Sequence, residues 1–264
     1  MTTLVLSRRH SPDSNSLWRA ALDQGWDVER LRDYNVPENL GARDPVIYGE
    51  TIFADAVSET LGLCMLEPSP DFLPDLPFDY KKREVARSTL GQARTLREKT
   101  FIKPADEKWF PARVYENGSA ILAGPEVSDE LIVLTSEPVH WLTEFRVFCV
   151  ERKIAAISPY LIGGEIARDA HGEWIVNPIE MQCAADFAER LLGDFNVQLP
   201  PAAVVDVGRI EHRGFAVVEA NPAWASGICA CDARQVLSVL RRASVPLSNL
   251  SATDKAWIRR PQVL

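Results

Sequence analysis

Two stretches of alternating apolar and polar residues, joined by a short polar turn, constrain this chain most. They span Ala203–Ile210 and Phe215–Asn221, and residues 211–214 between them read Glu-His-Arg-Gly. A period of two is typical of β-strands, and a short polar connection that contains glycine predicts a hairpin. The fold must therefore accommodate the acidic residues that these two strands carry.

The expected register of this hairpin brings two carboxylates together. If Ile210 pairs with Phe215, antiparallel pairing places Asp206 opposite Glu219, with Cβ atoms about 4.5–5.5 Å apart. Like charges at that distance destabilise a sheet, and alternation adds Asn221 to the face that carries Glu219. Two carboxylates and an amide oxygen on one face are donors that suit Mg²⁺. We therefore predict a metal site at Asp206, Glu219 and Asn221; the alternative is a solvent-facing strand with two unrelated acids.

The composition is that of a soluble globular protein and argues against two classes of partner. The chain has 264 residues, of which 46% are hydrophobic and 25% charged, enough for one large or two moderate domains. A formal net charge of −8 argues against general nucleic-acid binding. No run of about 18 apolar residues predicts a membrane span. We expect Lys81-Lys82-Arg83, the only basic triple, to lie on a solvated helix face.

The five cysteines predict neither a disulfide framework nor a zinc site. Their number is odd, and Cys229 and Cys231 lack the second ligand pair that a structural zinc ion requires. Reduced, largely buried thiols are typical of a cytoplasmic protein, and we expect that location.

The pattern along the chain predicts three regions. Residues 1–95 are expected to form a small α/β domain, in which strands at 3–6 and 45–48 alternate with helices at 16–31, 52–63 and 80–97. Residues 96–243 carry mostly short strands, including hairpins across the Asn117-Gly118 turn and across residues 144–158. Residues 244–264 are expected to form an irregular C-terminal tail.

Four short motifs in a fixed order carry a family resemblance. They are Phe101–Pro104, Glu144–Arg146, Asp206–Gly208 and Val218–Pro222. Over residues 100–242 the chain resembles the ATP-grasp superfamily, and within it the arginine-to-lysine clade. That clade includes the eukaryotic cell-division-cycle factor that assembles a translation initiation complex. The resemblance implies an α+β ATP-grasp fold, in which two lobes enclose ATP and Mg²⁺ and a small α/β domain precedes them.

The resemblance also assigns roles in the first lobe and at the hinge near 135–140. Lys103 matches the lysine that contacts the phosphates; it ends an apolar strand, and Pro104 keeps the chain extended there. Lys108 lies in the loop where relatives carry a glycine-rich lid, although this loop contains no glycine. The predicted adenine-binding residues follow the last strand of the lobe; they are Ser136, Glu137 and Val139.

In the second lobe the resemblance directs Glu144 and Arg146 toward the phosphates. Both side chains belong to one strand face, and the planar donor fork of arginine suits a phosphate. The alternative is an ion pair at a strand edge, which contributes only about 0–1 kcal/mol.

The resemblance therefore implies a Mg²⁺-dependent ligase that joins a carboxylate to an amine through an acylphosphate, with Lys103 and Arg146 in catalytic roles. One alternative is an ATP-binding assembly factor that holds a partner protein with little or no turnover. Another is an interaction module that does not bind nucleotide. Neither the donor and acceptor nor the oligomeric state is indicated by the sequence.

Overall fold

The computed structural model describes residues 1–105, 109–124 and 126–260, so Lys108 lies outside the described residues. The chain begins with a three-stranded parallel sheet of strand order β2-β1-β3, covered by helices. The elements of this unit are β1 (Thr3–Leu6), α1 (Pro12–Asp23), β2 (Asp27–Arg30), β3 (Pro45–Tyr48), α2 (Thr51–Val57) and β4 (Leu63–Met65).

The first helix is shorter than the sequence pattern predicts. It starts at Pro12 because Ser11 caps it, with the Ser11 hydroxyl accepting a hydrogen bond from the Ser14 amide. It ends before Gly25, whose φ of 73° lies in the left-handed region that glycine tolerates. Residues 27–30, predicted to be helical, instead pair in parallel with β1.

The helix predicted at 80–97 is also wrong. That segment contains two short helices, α4 (Phe78–Lys81) and α5 (Leu90–Arg94), separated by the strand β5 (Val85–Thr89). Pairing of β5 with a distant strand overrides the local helical pattern. Lys81 and Arg83 are buried, so the basic triple does not form a solvated face.

A four-stranded antiparallel sheet of order β5-β8-β6-β7 forms the next unit. The predicted hairpin at the Asn117-Gly118 turn is absent from it, because residues 118–120 form a 3-10 turn that packs against α5. Gly118 approaches the backbone of Ala93 and Arg94 so closely that a Cβ atom has no room. The remaining elements of the unit are β6 (Thr100–Pro104), β7 (Arg113–Tyr115) and β8 (Ile132–Ser136), and the short helix α3 (Phe72–Asp75) precedes it.

A five-stranded antiparallel sheet of order β11-β10-β9-β12-β13 carries the predicted acidic hairpin at its edge. Its elements are β9 (Trp141–Val150), β10 (Lys153–Ile162), β11 (Glu165–Ile166), α6 (Pro178–Gly193), β12 (Ala202–Ile210) and β13 (Gly214–Asn221). One face packs on α6 through Phe145, Val147 and Val205. The other face packs on the N-terminal unit through Phe148 and Val204.

The end of the chain returns to the N-terminal unit. Helix α7 (Ala233–Ala243) is followed at once by β14 (Ser244–Pro246), which pairs with β4. The prediction of an irregular tail is therefore wrong for these residues. Further on, the side chain of Arg259 donates hydrogen bonds to Asp55 at 2.7 and 3.0 Å and to Glu67 at 2.9 Å.

No helix among the described residues is long and apolar enough to cross a membrane. All five cysteines are free thiols, of which Cys149 and Cys231 are buried and Cys183 is exposed. The expectation of largely buried thiols is thus only partly met.

The buried Arg259 cluster should stabilise the fold measurably. Its side chain is 5% exposed, so Arg259→Leu removes a buried cation from two carboxylates and should lower the free energy of unfolding by about 2–3 kcal/mol. The matched control is Arg234→Leu, because Arg234 and its partner Asp23 are 63% and 59% exposed; it should cost about 1 kcal/mol or less. Urea denaturation measures both, and equal losses would contradict a structural role for this end of the chain.

Candidate active site

The acidic hairpin has the predicted pairing, but it reaches that pairing through a bulge. Asp206 lies opposite Glu219. Next to the turn, however, Ile210 pairs with Gly214 rather than with Phe215, so the turn is one residue shorter than expected. An extra residue, Val218, then restores the predicted register beyond the turn.

Asp206 is neutralised by the protein itself. Arg146, directly opposite on β9, donates from Nε to Oδ1 at 2.9 Å and from Nη2 to Oδ2 at 2.7 Å. The side chains are 9% and 1% exposed. Burial raises the pKa of Asp206 and the guanidinium lowers it; the two charge-assisted hydrogen bonds favour the ionised pair. The expectation that Asp206 needs an added cation is therefore wrong.

Arg146 is held on three sides rather than lying at a strand edge. Its Nη1 donates to the carbonyl oxygen of Gly227 at 3.0 Å, and its guanidinium lies 4.3 Å from the centre of the Tyr160 ring. The alternative of a surface ion pair with Glu144 is excluded, because Arg146 is buried and bonds Asp206 instead.

Glu219 connects the two antiparallel sheets. Lys103, from β6 of the other sheet, donates to Oε2 at 2.6 Å, and the Asn221 amide donates to Oε1 at 3.0 Å. Burial opposes ionisation of Glu219, but Lys103 and Asn221 outweigh it and hold the pKa at about 2. Lys103, Glu219 and Asn221 thus meet in one ionised cluster across the cleft.

Glu144 completes the acidic wall behind this cluster. It pairs with Gly208 on β12, and burial together with the charges of Asp206 and Glu219 raises its pKa to about 7. Its carboxylate accepts no hydrogen bond from any residue that the structure describes. Glu144 therefore has a free acceptor close to the two predicted metal ligands.

A cavity of about 240 Å³ lies between the two antiparallel sheets. It brings together five residues predicted for the site, which are Lys103, Ser136, Glu137, Val139 and Glu219. The rest of its wall is mostly apolar and comes from Leu73, Val85, Phe101, Val114, Leu134, Trp141 and Val218, with Arg83 and Thr135. One end of the cavity is thus apolar and the other is charged.

The hinge residues line this cavity, but the Glu137 carboxylate is already engaged. It accepts from Arg213 at 2.6 and 3.2 Å and from the Glu84 amide at 3.3 Å, and the Arg213 contact lowers its pKa. The Ser136 hydroxyl donates to the carbonyl of Glu137 at 3.0 Å. The geometry therefore directs the Glu137 carboxylate at Arg213 rather than at a ribose or a base amino group.

Two lining residues, Arg83 and Trp141, were missed by sequence reasoning. Arg83 lies in the basic triple that was assigned to a helix surface, and its guanidinium lies 4.9 Å from the centre of the Trp141 ring. A basic residue directly before a strand of alternating polarity is the signal that could have placed Arg83 beside a sheet.

The donors at the charged end fit a metal ion that arrives with a nucleotide. Among the described residues, no three His, Cys, Asp or Glu side chains are grouped closely enough to hold a resident metal. Mg²⁺, however, is usually held by one or two carboxylates together with substrate phosphates. Glu219, Asn221 and the wall formed by Asp206 offer such oxygens, with Lys103 now beside Glu219.

A second cavity of about 220 Å³ lies at the carboxyl ends of β1 and β3. Asp13 lines it and also accepts a hydrogen bond from the Ile228 amide at 3.1 Å, next to the Gly227 carbonyl that Arg146 holds. The residues around it are Ser7, Arg9, Ser11, Asp13, Ser14, Tyr48, Gly49, Glu50 and Ala225. It therefore adjoins the Arg146–Asp206 pair from the side opposite the first cavity.

Solved structures share this architecture at low sequence identity. A RimK-domain ATP-grasp protein from Sphaerobacter thermophilus is 14% identical with a TM-score of 0.55, covering 92% of this chain and 97% of that one. The D-cycloserine synthetase DcsG is 14% identical with a TM-score of 0.54, covering 91% and 99%. The ATP-grasp ligase PsnB with its minimal precursor is 13% identical with a TM-score of 0.50, covering 91% and 99%.

No curated protein matches the chain significantly. A family model does match, however, over residues 80–239, which is more than half of the chain. The ATP-grasp fold predicted from four short motifs is thus confirmed. The chain belongs to the family of ATP-grasp domains described as family 2 of the arginine-to-lysine clade.

Proposed function

We propose that this protein is a Mg²⁺-dependent, ATP-dependent ligase that joins a carboxylate to an amine through an acylphosphate. One observation carries the proposal: Lys103 of one sheet meets Glu219 and Asn221 of the other at the charged end of an otherwise apolar cavity. A flat apolar compartment that ends in a lysine and a carboxylate suits a ligand with an aromatic base and a polyphosphate.

The base of ATP would lie in the apolar part of the first cavity, against Trp141 and Val218. Its edge would meet backbone groups of the hinge near Val139, because the Glu137 carboxylate bonds Arg213. The phosphates would then extend toward Lys103, whose ammonium lies within reach of both the cavity and Glu219.

Charge exchange would prepare the site for phosphate. Lys103 now neutralises Glu219, and a phosphate would compete for that ammonium while the metal ion takes its place beside Glu219, Asn221 and Asp206. When bound, Mg²⁺ would neutralise charge on the β- and γ-phosphates. Arg146 would keep Asp206 ionised and oriented, because it bonds both carboxylate oxygens.

The reaction needs no protein nucleophile. An oxygen of the substrate carboxylate would form a bond to the γ-phosphorus while the bond from that phosphorus to the β,γ-bridging oxygen breaks, giving an acylphosphate and ADP. The amine nitrogen would then bond to the acyl carbon, inorganic phosphate would leave, and the nitrogen would lose a proton.

The second cavity supports a place for a further substrate. It adjoins the Gly227 carbonyl that Arg146 holds, and Asp13, Glu50 and Arg9 give it charges of both signs. The names of the neighbours leave the substrate class open: DcsG is a D-cycloserine synthetase, and PsnB is a ligase complexed with a precursor. Small molecules and peptides are both candidates for this chain.

A binding role without turnover is the second candidate. The motifs of the chain resemble a clade that includes an assembly factor, and the Lys103–Glu219 pair would serve binding as well as catalysis. We propose a cytoplasmic location in either case, which agrees with free thiols and with the lack of a membrane-crossing helix among the described residues.

Release of ADP separates the two candidates. The purified protein is incubated with ATP, Mg²⁺ and pooled amino acids or peptides, and ADP is measured over time. A ligase should release ADP faster when its substrates are present. Tight nucleotide binding without turnover in any pool would contradict the ligase and favour the assembly factor.

Loss of Lys103 should weaken phosphate binding more than base binding. Lys103→Ala should reduce the affinity for ATP and ADP by about ten-fold or more, because a charge-assisted hydrogen bond is removed, while adenosine binding changes little. Calorimetry with the three ligands measures the difference. Lys99→Ala is the control, since that lysine is 59% exposed and pairs with Glu116 away from the cavity. An equal loss for all three ligands would place Lys103 elsewhere.

Loss of the Glu219 charge should abolish the help that Mg²⁺ gives to ATP binding. In wild-type protein we expect ATP to bind at least about ten-fold more tightly with Mg²⁺ than without it, whereas in Glu219→Gln the two affinities should converge. Calorimetry in Mg²⁺ and in EDTA measures the ratio. Glu211→Gln serves as control, because Glu211 is half-exposed in the turn of the same hairpin. A wild-type ratio in Glu219→Gln would remove this residue from the metal site.

A further inference from the structure

The bulge at Val218 decides which way Glu219 points. Val217 lies opposite Val207 and is buried in the core against α6, and residues two apart on a regular strand share a face. Regular alternation would therefore bury Glu219 in that core. The extra residue reverses the alternation, so that Val218 and Glu219 both line the first cavity.

A single buried side chain holds this bulge. Arg83 donates from Nη1 to the Val217 carbonyl at 2.7 Å and from Nη2 to the Val218 carbonyl at 3.0 Å. Strand β13 is the edge of its sheet, so no strand is available to bond these two carbonyls. Arg83 therefore supplies the hydrogen bonds that a neighbouring strand would otherwise give.

The surroundings of Arg83 indicate that these carbonyl contacts are its purpose. It is 5% exposed, and burial lowers its pKa to about 10. No carboxylate among the described residues lies within ion-pairing distance of it, and its other polar contact is the Lys81 carbonyl at 3.0 Å. A buried guanidinium without a counter-ion is costly, so a fold that keeps one there gains something specific from it.

We propose that Arg83 is a positioning residue for the metal and phosphate end of the cleft: by bonding the carbonyls of Val217 and Val218, it holds the bulge that turns Glu219 toward Lys103. It acts through the backbone of β13 and need not touch the metal or the phosphates. This inference rests on the proposed function, since it assigns the cause of the orientation that Mg-ATP binding requires.

The test compares ligands that do and do not need Glu219. Arg83→Met keeps the length of the side chain and its contact with Trp141 but loses the donors. Mg-ATP affinity should fall about ten-fold or more, adenosine affinity should change by less than about three-fold, and the ratio of ATP affinities with and without Mg²⁺ should approach one. Arg83→Lys should recover part of the loss, because one ammonium reaches one carbonyl. The control is Lys82→Met, which removes an adjacent cation that bonds the Arg213 carbonyl.

A deletion isolates the role of the bulge. Without Val218 the hairpin pairs regularly, and Asp206 still lies opposite Glu219 with both on the cavity face. In that background Arg83→Met should reduce Mg-ATP binding by less than about three-fold, because no bulge is left to hold. An equal loss in both backgrounds, or an equal loss for adenosine and Mg-ATP, would overturn the inference and make Arg83 a wall of the base cavity. If wild-type protein binds no Mg-ATP, the proposed function itself fails.

If the deletion variant does not fold, Arg83→Met and Arg83→Lys in the full chain still decide. Circular dichroism first confirms that each variant is folded. Retention of the wild-type Mg²⁺ ratio in folded Arg83→Met would contradict the proposal, and its loss with partial recovery in Arg83→Lys would support it.

Discussion

The buried pair of Arg146 and Asp206 is the interaction on which the rest of the site depends. It links the central strands β9 and β12 by two hydrogen bonds, and a third bond from Arg146 to Gly227 ties the loop before α7 to the same point. Removal of either partner from such a buried pair commonly costs about 3–5 kcal/mol. An acidic wall can therefore persist in the interior before any metal ion is present.

The two sheets meet in front of this wall through contacts that a nucleotide could replace. Lys103 bonds Glu219 across the cleft, and Arg213 bonds Glu137 at the hinge. Arg83 bonds the β13 backbone from the side of the four-stranded sheet. Lys103 and Arg213 each balance a carboxylate within the protein, so phosphate binding is an exchange of partners rather than the filling of an uncompensated site.

The hairpin and its acidic pair could be predicted because alternation and turn length are local properties. The Arg146–Asp206 pair could not, since those residues are far apart in the chain and meet only when β9 pairs with β12. The bulge was also invisible, because a turn one residue shorter than expected and an insertion at Val218 cancel in the count. The helix predicted at 80–97 failed because β5 gains its stability from pairing with β8, which no local pattern records.

A structure with a non-hydrolysable ATP analogue and Mg²⁺ tests the central claim most directly. The account predicts the base against Trp141 and Val218, the metal ion on oxygens of Glu219 and Asn221, and the Lys103 ammonium moved from Glu219 to a phosphate. It also predicts that the bonds from Arg146 to Asp206 are unchanged. A nucleotide bound outside the cavity, or one bound there with the Lys103–Glu219 pair intact and no metal ion beside it, would contradict the account.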